Sequence, residues 1–280
     1  MLGSDMVAEL ERRGHEVDAP SSKELDITDP ESVAALALSR GKYDWCINCA
    51  AYTAVDKAET EVQQATELNV IGPGYLANAC SMAGIKLIHI STDFVFDGEA
   101  TTPYKPNAPT HPLGVYGRTK REGEAAVLAA SSNALIVRTS WLYGPNGKSF
   151  PRTMIAAWLA GKPLRVVSDQ TGCPTYTADL ARVLVDMIEL NAIPAIYHAC
   201  GPDVTTWYDF AIQAIEAYRD AHSIDRPVEI TPIPTEAYPT PAKRPKYSVL
   251  DPSTLWALSI QPMHPLANAA RDFISRSPDS

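Results

Sequence analysis

The chain has 280 residues, 45% of them hydrophobic, which suits one large α/β domain or two tightly joined ones and excludes a disordered protein. Its formal charge of -9 and pI near 5.2 argue against a nucleic-acid or anionic-membrane surface, since phosphate polymers are bound by excess Lys and Arg; a small anionic ligand needs only a few local cations. No run reaches the roughly 18 to 20 apolar residues of a membrane span, and no basic segment precedes an apolar core at the amino terminus, so the cytoplasm is the expected compartment.

The opening stretch MLGSDMVAELERRGHEVDA sets Met6, Val7 and Leu10 on one side of a helix that stops at Gly14, and a strand-like run follows from Glu16 to Ala19. Thr28, Asp29 and Pro30 supply a cap and first-turn proline for a helix through Leu38, ended near Gly41. A strand is expected at 43–49, then a loop with Asp56. A long helical pattern follows through Val62, Ala65, Leu68, Asn69, Leu76 and Ala79, closing at Gly84. KLIHIST at 86–92 reads as a strand, YGRTKREGEAAVLAA at 116–130 as a helix, and ALIVRTSW at 134–141 as a further strand. Past residue 145 prolines become dense, and short helices are expected near 149–160, 177–190, 206–221 and 265–275.

Strands separated by helices of this length predict crossover units and a doubly wound, mostly parallel sheet covered on both faces. In such sheets ligands sit beyond the carboxyl ends of the strands, here at Ala50-Ala51-Tyr52-Thr53, Ser91-Thr92-Asp93 and Ser140-Trp141.

Cys46-Ile47-Asn48-Cys49 has the spacing of half a zinc site but no second half, and residues three apart on a strand point to opposite faces; the five cysteines read as core thiols kept reduced. Gly147-Lys148-Ser149 resembles the tail of a phosphate loop, but Leu142 stands where that motif needs glycine. His198 reads as a satisfied core residue. Arg244, framed by prolines, either faces a diphosphate or is solvated.

Tyr116 and Lys120 lie four apart on a helix, hence on one face. An ammonium beside a phenol favours phenolate and lowers a pKa that is otherwise near 10, bringing it into range for acid/base work. Alone this spacing carries little weight: with 12 tyrosines and about ten lysines, chance supplies on the order of 0.4 such pairs. The strand ending in Ser91-Thr92 adds a hydroxyl at the sheet's carboxyl edge.

With that context the chain resembles the extended short-chain dehydrogenase/reductases, and among them the dTDP-4-dehydrorhamnose reductase family. The resemblance is carried, in order, by ELDITD (24–29), NCAAYTAVDKAE (48–59), NVIGPGYLA (69–77), ISTDFVFDG (90–98), YGRTK (116–120), RTSWLYG (138–144), DQTGCPTYTADLA (169–181) and KRPKYSVLD (243–251). It implies a Rossmann-like unit over 1–147, with 163–198 returning to it, and a substrate-binding lobe from 148–162 and 199–280. It implies reduction of the C4 ketone of a dTDP-linked 4-keto-6-deoxysugar by a nicotinamide cofactor, with Thr92, Tyr116 and Lys120 catalytic and Thr92, Asp93 and Trp141 at the sugar. Gly3, Asp26, Ile27, Ala51, Tyr52 and Thr53, together with Tyr116 and Lys120, would line the cofactor. A nucleotide sugar is the implied partner, with neither nucleic acid nor membrane; a homodimer is compatible, and no metal ligand set is assigned.

Three alternatives stay open. Dehydratases of the same scaffold carry Asp-Glu after the threonine, whereas Phe94 follows Asp93 here. A non-catalytic binding homologue, like the regulatory subunit of methionine adenosyltransferase, is weakened by the presence of Thr92, Tyr116, Lys120 and Trp141. Another nucleotide-sugar epimerase or reductase is the third.

The family's glycine fingerprint follows a first strand, and only its last glycine has a counterpart, Gly3; the expectation is that the first strand and most of the glycine loop precede Met1, roughly a dozen residues. Where an acidic residue often meets the ribose 2′-hydroxyl, Pro20-Ser21-Ser22-Lys23 stands, with Asp18 two or three residues early. Hydroxyls and a lysine tolerate a 2′-phosphate better than a carboxylate does, so NADPH is expected, with NADH usable. Turnover compared between the two cofactors checks this, and a strong NADH preference contradicts it.

Overall fold

The computed structural model describes residues 1–276. In chain order its first elements are α1 (Leu2–Arg12), α2 (Pro30–Ala37), β1 (Trp45–Asn48), α3 (Val55–Ala58) and α4 (Val62–Thr66), a π-helical turn (Glu67–Ile71), α5 (Gly72–Ala83), β2 (Lys86–Thr92), α6 (Val115–Ala130) and β3 (Ala134–Thr139). Then come β4 (Leu142–Tyr143), α7 (Phe150–Leu159), β5 (Leu164–Val167), β6 (Thr171–Gly172), β7 (Thr175–Tyr176), α8 (Thr177–Glu189) and β8 (Ile196–His198). The chain finishes with β9 (Thr205–Thr206), α9 (Trp207–Ala221), β10 (Ile230–Ile233), α10 (Ser253–Trp256) and α11 (Leu266–Arg276).

The main sheet is parallel, in the order β1-β2-β3-β8. Its alternating side chains feed two cores. Ile88, Leu135 and Val137 pack against Leu2 and Met6 of α1 and Leu180, Val183, Leu184 and Met187 of α8; Leu87, Ala134 and Ile136 face the other way, onto Val33, Leu76, Cys80 and Val127. Helices thus cover both faces, as the doubly wound reading requires.

Local chemistry sets several boundaries. Asp29 caps α2 by accepting the Glu31 amide, with Pro30 at the first position. Gly84 ends α5 in the left-handed region at φ 76°. The long helical pattern does not run unbroken: its π-turn carries the fully buried Asn69, and α6 closes onto that turn through Gly123, whose hypothetical Cβ would lie 1.9 Å from the Asn69 carbonyl oxygen.

One expectation fails: Glu16–Ala19 forms no strand, and the outer edge of β1 stays unpaired among the described strands. A cavity of about 490 Å³ opens instead at the sheet's amino-terminal edge, bounded by His15, Tyr43, Trp45 and Lys86, far from the strand ends that carry chemistry. Within 163–198, β8 pairs with β3 in the main sheet and α8 packs on it, while β5 pairs with β10 in a separate two-stranded sheet. The smaller lobe has its own core, centred on Tyr143, Trp158, Tyr176, Phe210, Ile215 and Phe273. Among the described residues no helix is long and apolar enough to cross a membrane.

Because α6 seats on a backbone carbonyl at Gly123, Gly123→Ala is expected to cost about 1–3 kcal/mol by overpacking. Gly74→Ala, whose Cβ would meet Ala126 at an ordinary 3.5 Å, stays within about 1 kcal/mol of wild type. Urea unfolding of the two variants separates them.

Candidate active site

The helix that bears Tyr116 begins under external control. Gly114 at its amino-terminal cap has no side chain to offer, so Glu59 reaches across and accepts the Val115 amide at 2.8 Å. Gly117, one turn in, lets the helix ride on the Phe94 carbonyl, which would be 2.1 Å from a Cβ there. The next face of α6 meets the end of β2 directly. The Thr92 hydroxyl lies near enough to the Tyr116 phenol to favour its ionised form, and Lys120 donates to the Ile90 carbonyl at 2.8 Å.

Thr92 is a hub. Its hydroxyl donates to Asp93 Oδ1 at 3.0 Å and accepts the Phe94 amide at 3.2 Å. With its one proton committed to Asp93, it must turn from that carboxylate to donate to a phenolate at Tyr116. Asp93 Oδ2 is buried with no hydrogen bond of ordinary geometry among the described residues, although the Ser248 hydroxyl lies near enough to favour the carboxylate's charge.

Burial governs the titration of all three ionisable groups. It pushes Asp93 up to about 6 against the Ser248 and Thr92 hydroxyls, and it pulls Lys120 down to about 8 against the carboxylate of Glu124. Tyr116 rises to about 12: burial dominates, the Thr92 hydrogen bond opposes it, and the Asp93 charge adds to it. The expected lowering of the phenol by its lysine neighbour is therefore not found in the ligand-free protein. Lys120 spends its charge at a carbonyl, and burial of the phenolate outweighs what remains.

The other expected residues fall into two groups. Ala51, Tyr52 and Thr53 follow β1, and Asn69 fastens this loop by accepting the Tyr52 amide at 2.9 Å and donating to the Tyr52 carbonyl and to Thr119 Oγ1, each at 3.1 Å. Gly3 lies at the start of α1 against Cys49, 3.9 Å from a hypothetical Cβ, so the uncapped amides of this helix face the carboxyl end of β1. Asp26 is exposed and accepts from Thr28, but Ile27 is buried against Gly72 and acts in packing.

Trp141 stands apart from the hydroxyl cluster. It holds a left-handed backbone, φ 47°, stacked on Trp207 at 3.6 Å and pressed on Gly172, where any Cβ would come within 2.7 Å of the indole. Arg244 turns to a carboxylate, pairing with both oxygens of Asp56 at 2.6 and 2.8 Å. Cys46 faces Cys80 while Cys49 faces Lys120, in keeping with opposite sides of a strand. Asn69, Glu59 and Trp207 were not singled out by sequence reasoning; the one available signal was Asn69, a polar residue at an apolar position of its helical pattern.

Asp93 also makes a stability prediction. Its folded pKa is raised, so the native state holds the proton more tightly than the unfolded chain, and the favourable contribution present near pH 4 is lost as pH rises through about 6. Asp93→Asn removes that loss and is expected to exceed wild type in thermal stability at pH 7 by a margin that disappears near pH 4. Calorimetry at the two pH values checks it.

Comparison with known proteins gives the same picture from outside. The RmlD substrate binding domain family matches residues 1–277. A dTDP-4-dehydrorhamnose reductase of Mycolicibacterium smegmatis is 39% identical over 277 residues, covering 98% of this chain and 82% of that one. A probable dTDP-4,6-dihydroxy-2-methyloxan-3-one 4-ketoreductase of Streptomyces antibioticus is 40% identical, covering 97% and 90%. The crystal structure of dTDP-4-dehydrorhamnose reductase from Bacillus anthracis in complex with NADP superposes with a TM-score of 0.91 at 33% identity, covering 99% and 95%. With its parallel sheet, its hydroxyl-bearing strand end and a match across nearly its whole length, this chain belongs to the RmlD substrate binding domain family.

Proposed function

We propose that this chain reduces the C4 ketone of dTDP-4-dehydrorhamnose to give dTDP-L-rhamnose, with NADPH as the reductant. The observation that carries the reading is the contact of α6 with the end of β2, which brings the Thr92 hydroxyl near the Tyr116 phenol and anchors Lys120 at the Ile90 carbonyl. Relatives at 39–40% identity with reductase and 4-ketoreductase names support it, as does a neighbour solved with NADP.

The residues present fit a nicotinamide dinucleotide: the uncapped first turn of α1 at Gly3 for a diphosphate, the Ala51–Thr53 loop that Asn69 fastens, and an ammonium at the rim. When bound, that cofactor supplies a hydride to the ketone carbon. The protein supplies the rest. Tyr116 donates its proton to the sugar oxygen as negative charge develops there. Thr92 rotates its hydroxyl from Asp93 to the same oxygen, and Asp93, released, accepts from a sugar hydroxyl with Oδ2. Lys120 keeps two N–H donors beyond the one given to Ile90, enough for a ribose hydroxyl, and its charge opposes the burial penalty on the phenolate. Trp141, braced by Trp207, lines the sugar pocket with a ring it cannot turn.

A second reading, another dTDP-linked 4-ketosugar, is favoured by the Streptomyces antibioticus relative, whose name gives a different sugar. A binding-only role leaves the hydroxyl pair and the buried lysine without a purpose. Five free cysteines suit a reducing cytoplasm, and a homodimer fits the apolar Ile71, Tyr75 and Met82 exposed along the π-turn and α5.

Tyr116→Phe deletes only the proton donor. With dTDP-4-dehydrorhamnose and NADPH, followed at the nicotinamide absorbance band, kcat is expected to fall by at least about 100-fold, while calorimetric binding of the sugar nucleotide stays within a few-fold. Near-normal turnover of this variant overturns the mechanism.

A further inference from the structure

Behind Lys120 lies a buried ion pair to which the chemistry above gives no task. Glu124, fully buried on α6, accepts from Arg138 Nε at 2.8 Å and from Ser91 Oγ at 2.6 Å on one oxygen, and from Arg138 Nη2 at 2.8 Å on the other. Arg138, on β3, is itself 2% exposed and spends its remaining arm on the Pro106 carbonyl at 3.1 Å, with its guanidinium over the Phe96 ring. Tyr116, Lys120 and Glu124 are spaced four and four on α6 and meet three consecutive residues of β2: Lys120 bonds to the Ile90 carbonyl and Glu124 to the Ser91 hydroxyl, and Tyr116 lies near the Thr92 hydroxyl.

We propose that Glu124 is a positioning residue of the active site: anchored by Arg138, it grips Ser91 and so fixes how far α6 lies along β2, holding Tyr116 against Thr92 and keeping a negative charge behind Lys120. This rests on the reading of Tyr116, Thr92 and Lys120 as the reacting set.

The geometry favours this over a merely structural pair for two reasons. A buried ion pair is a poor device for stability, since apolar residues of similar volume commonly do as well or better. And its third partner is Ser91, the residue between the Lys120 acceptor and the Thr92 hydroxyl, so any shift of the carboxylate is passed to both. The charged and titratable groups facing Lys120 are Glu124 and Tyr116 on its own helix, Cys49 after β1 and His89 on β2, with Arg138 of β3 behind Glu124. Burial keeps Cys49 a thiol and His89 neutral, which leaves Glu124 as the group that favours the ammonium.

Glu124→Gln alone strands the Arg138 charge and invites unfolding, so the informative variant is the neutral amide pair Glu124→Gln/Arg138→Gln, with Glu124→Asp keeping the charge at shorter reach. In the folded amide pair the Lys120 ammonium is expected to lose its proton about one pH unit lower than in wild type. The alkaline limb of kcat moves down with it, and kcat near pH 7.5 falls about tenfold. Glu124→Asp is expected to keep the limb and lose only rate. The Lys120 midpoint is read independently of turnover, by NMR titration of its ε-methylene in the cofactor-free protein. A failure of the wild type to reduce the ketosugar therefore counts against the functional reading and leaves this test intact. An amide pair with an unchanged Lys120 midpoint, whether its activity is normal or lowered equally at every pH, overturns the proposal.

Discussion

The proposed chemistry depends on how one helix sits on one strand. The last three residues of β2 are each engaged by a side chain of α6, and the seat is tight because two glycines of α6 allow it: Gly117 over the Phe94 carbonyl and Gly123 over the Asn69 carbonyl. Neither glycine is needed for a positive φ; each is needed because a methyl group would occupy the space of a backbone oxygen. The same two contacts tie α6 to the loop after Thr92 and to the π-turn, so the strand, the catalytic helix and the loop that would face the cofactor form one rigid unit.

The electrostatics of that unit describe a resting state. Burial penalises every charge in it: the phenol sits near 12, the lysine near 8 and Asp93 near 6. The proposed reduction needs a protonated Tyr116 at the start, and a phenol whose ionised form is disfavoured is held in that form. What must then change on the reaction path is the stability of the phenolate, and the chain keeps one mobile resource for it, the two Lys120 donors not given to Ile90. The pairing of phenol and ammonium by helical spacing does not give the balance between them, because spacing says nothing of desolvation, the larger effect on each.

Much of the architecture was legible because it follows from local rules. Asp29 with Pro30 marked the start of α2, Gly84 the end of α5, and the alternation of apolar strands and helices the parallel sheet. The residues that escaped notice act over distance. Glu59 caps a helix 56 residues further on, and Glu124 meets an arginine from another strand. Trp207 stacks on Trp141 across the lobe boundary. The expected strand at Glu16–Ala19 pairs with none of the described strands, a long-range outcome that the local pattern does not state.

Chemistry and recognition are separated in this fold. The hydroxyls and the ammonium belong to the large sheet and α6, while Trp141 is oriented by the smaller lobe, through Trp207 of α9 and Gly172 of β6. A left-handed tryptophan is strained, and the strain is tolerated because an indole on one side and a glycine on the other leave the ring no second position. On the proposed mechanism, then, the α6 stripe would decide that a ketone is reduced, and what presses on Trp141 would decide which ketone is presented.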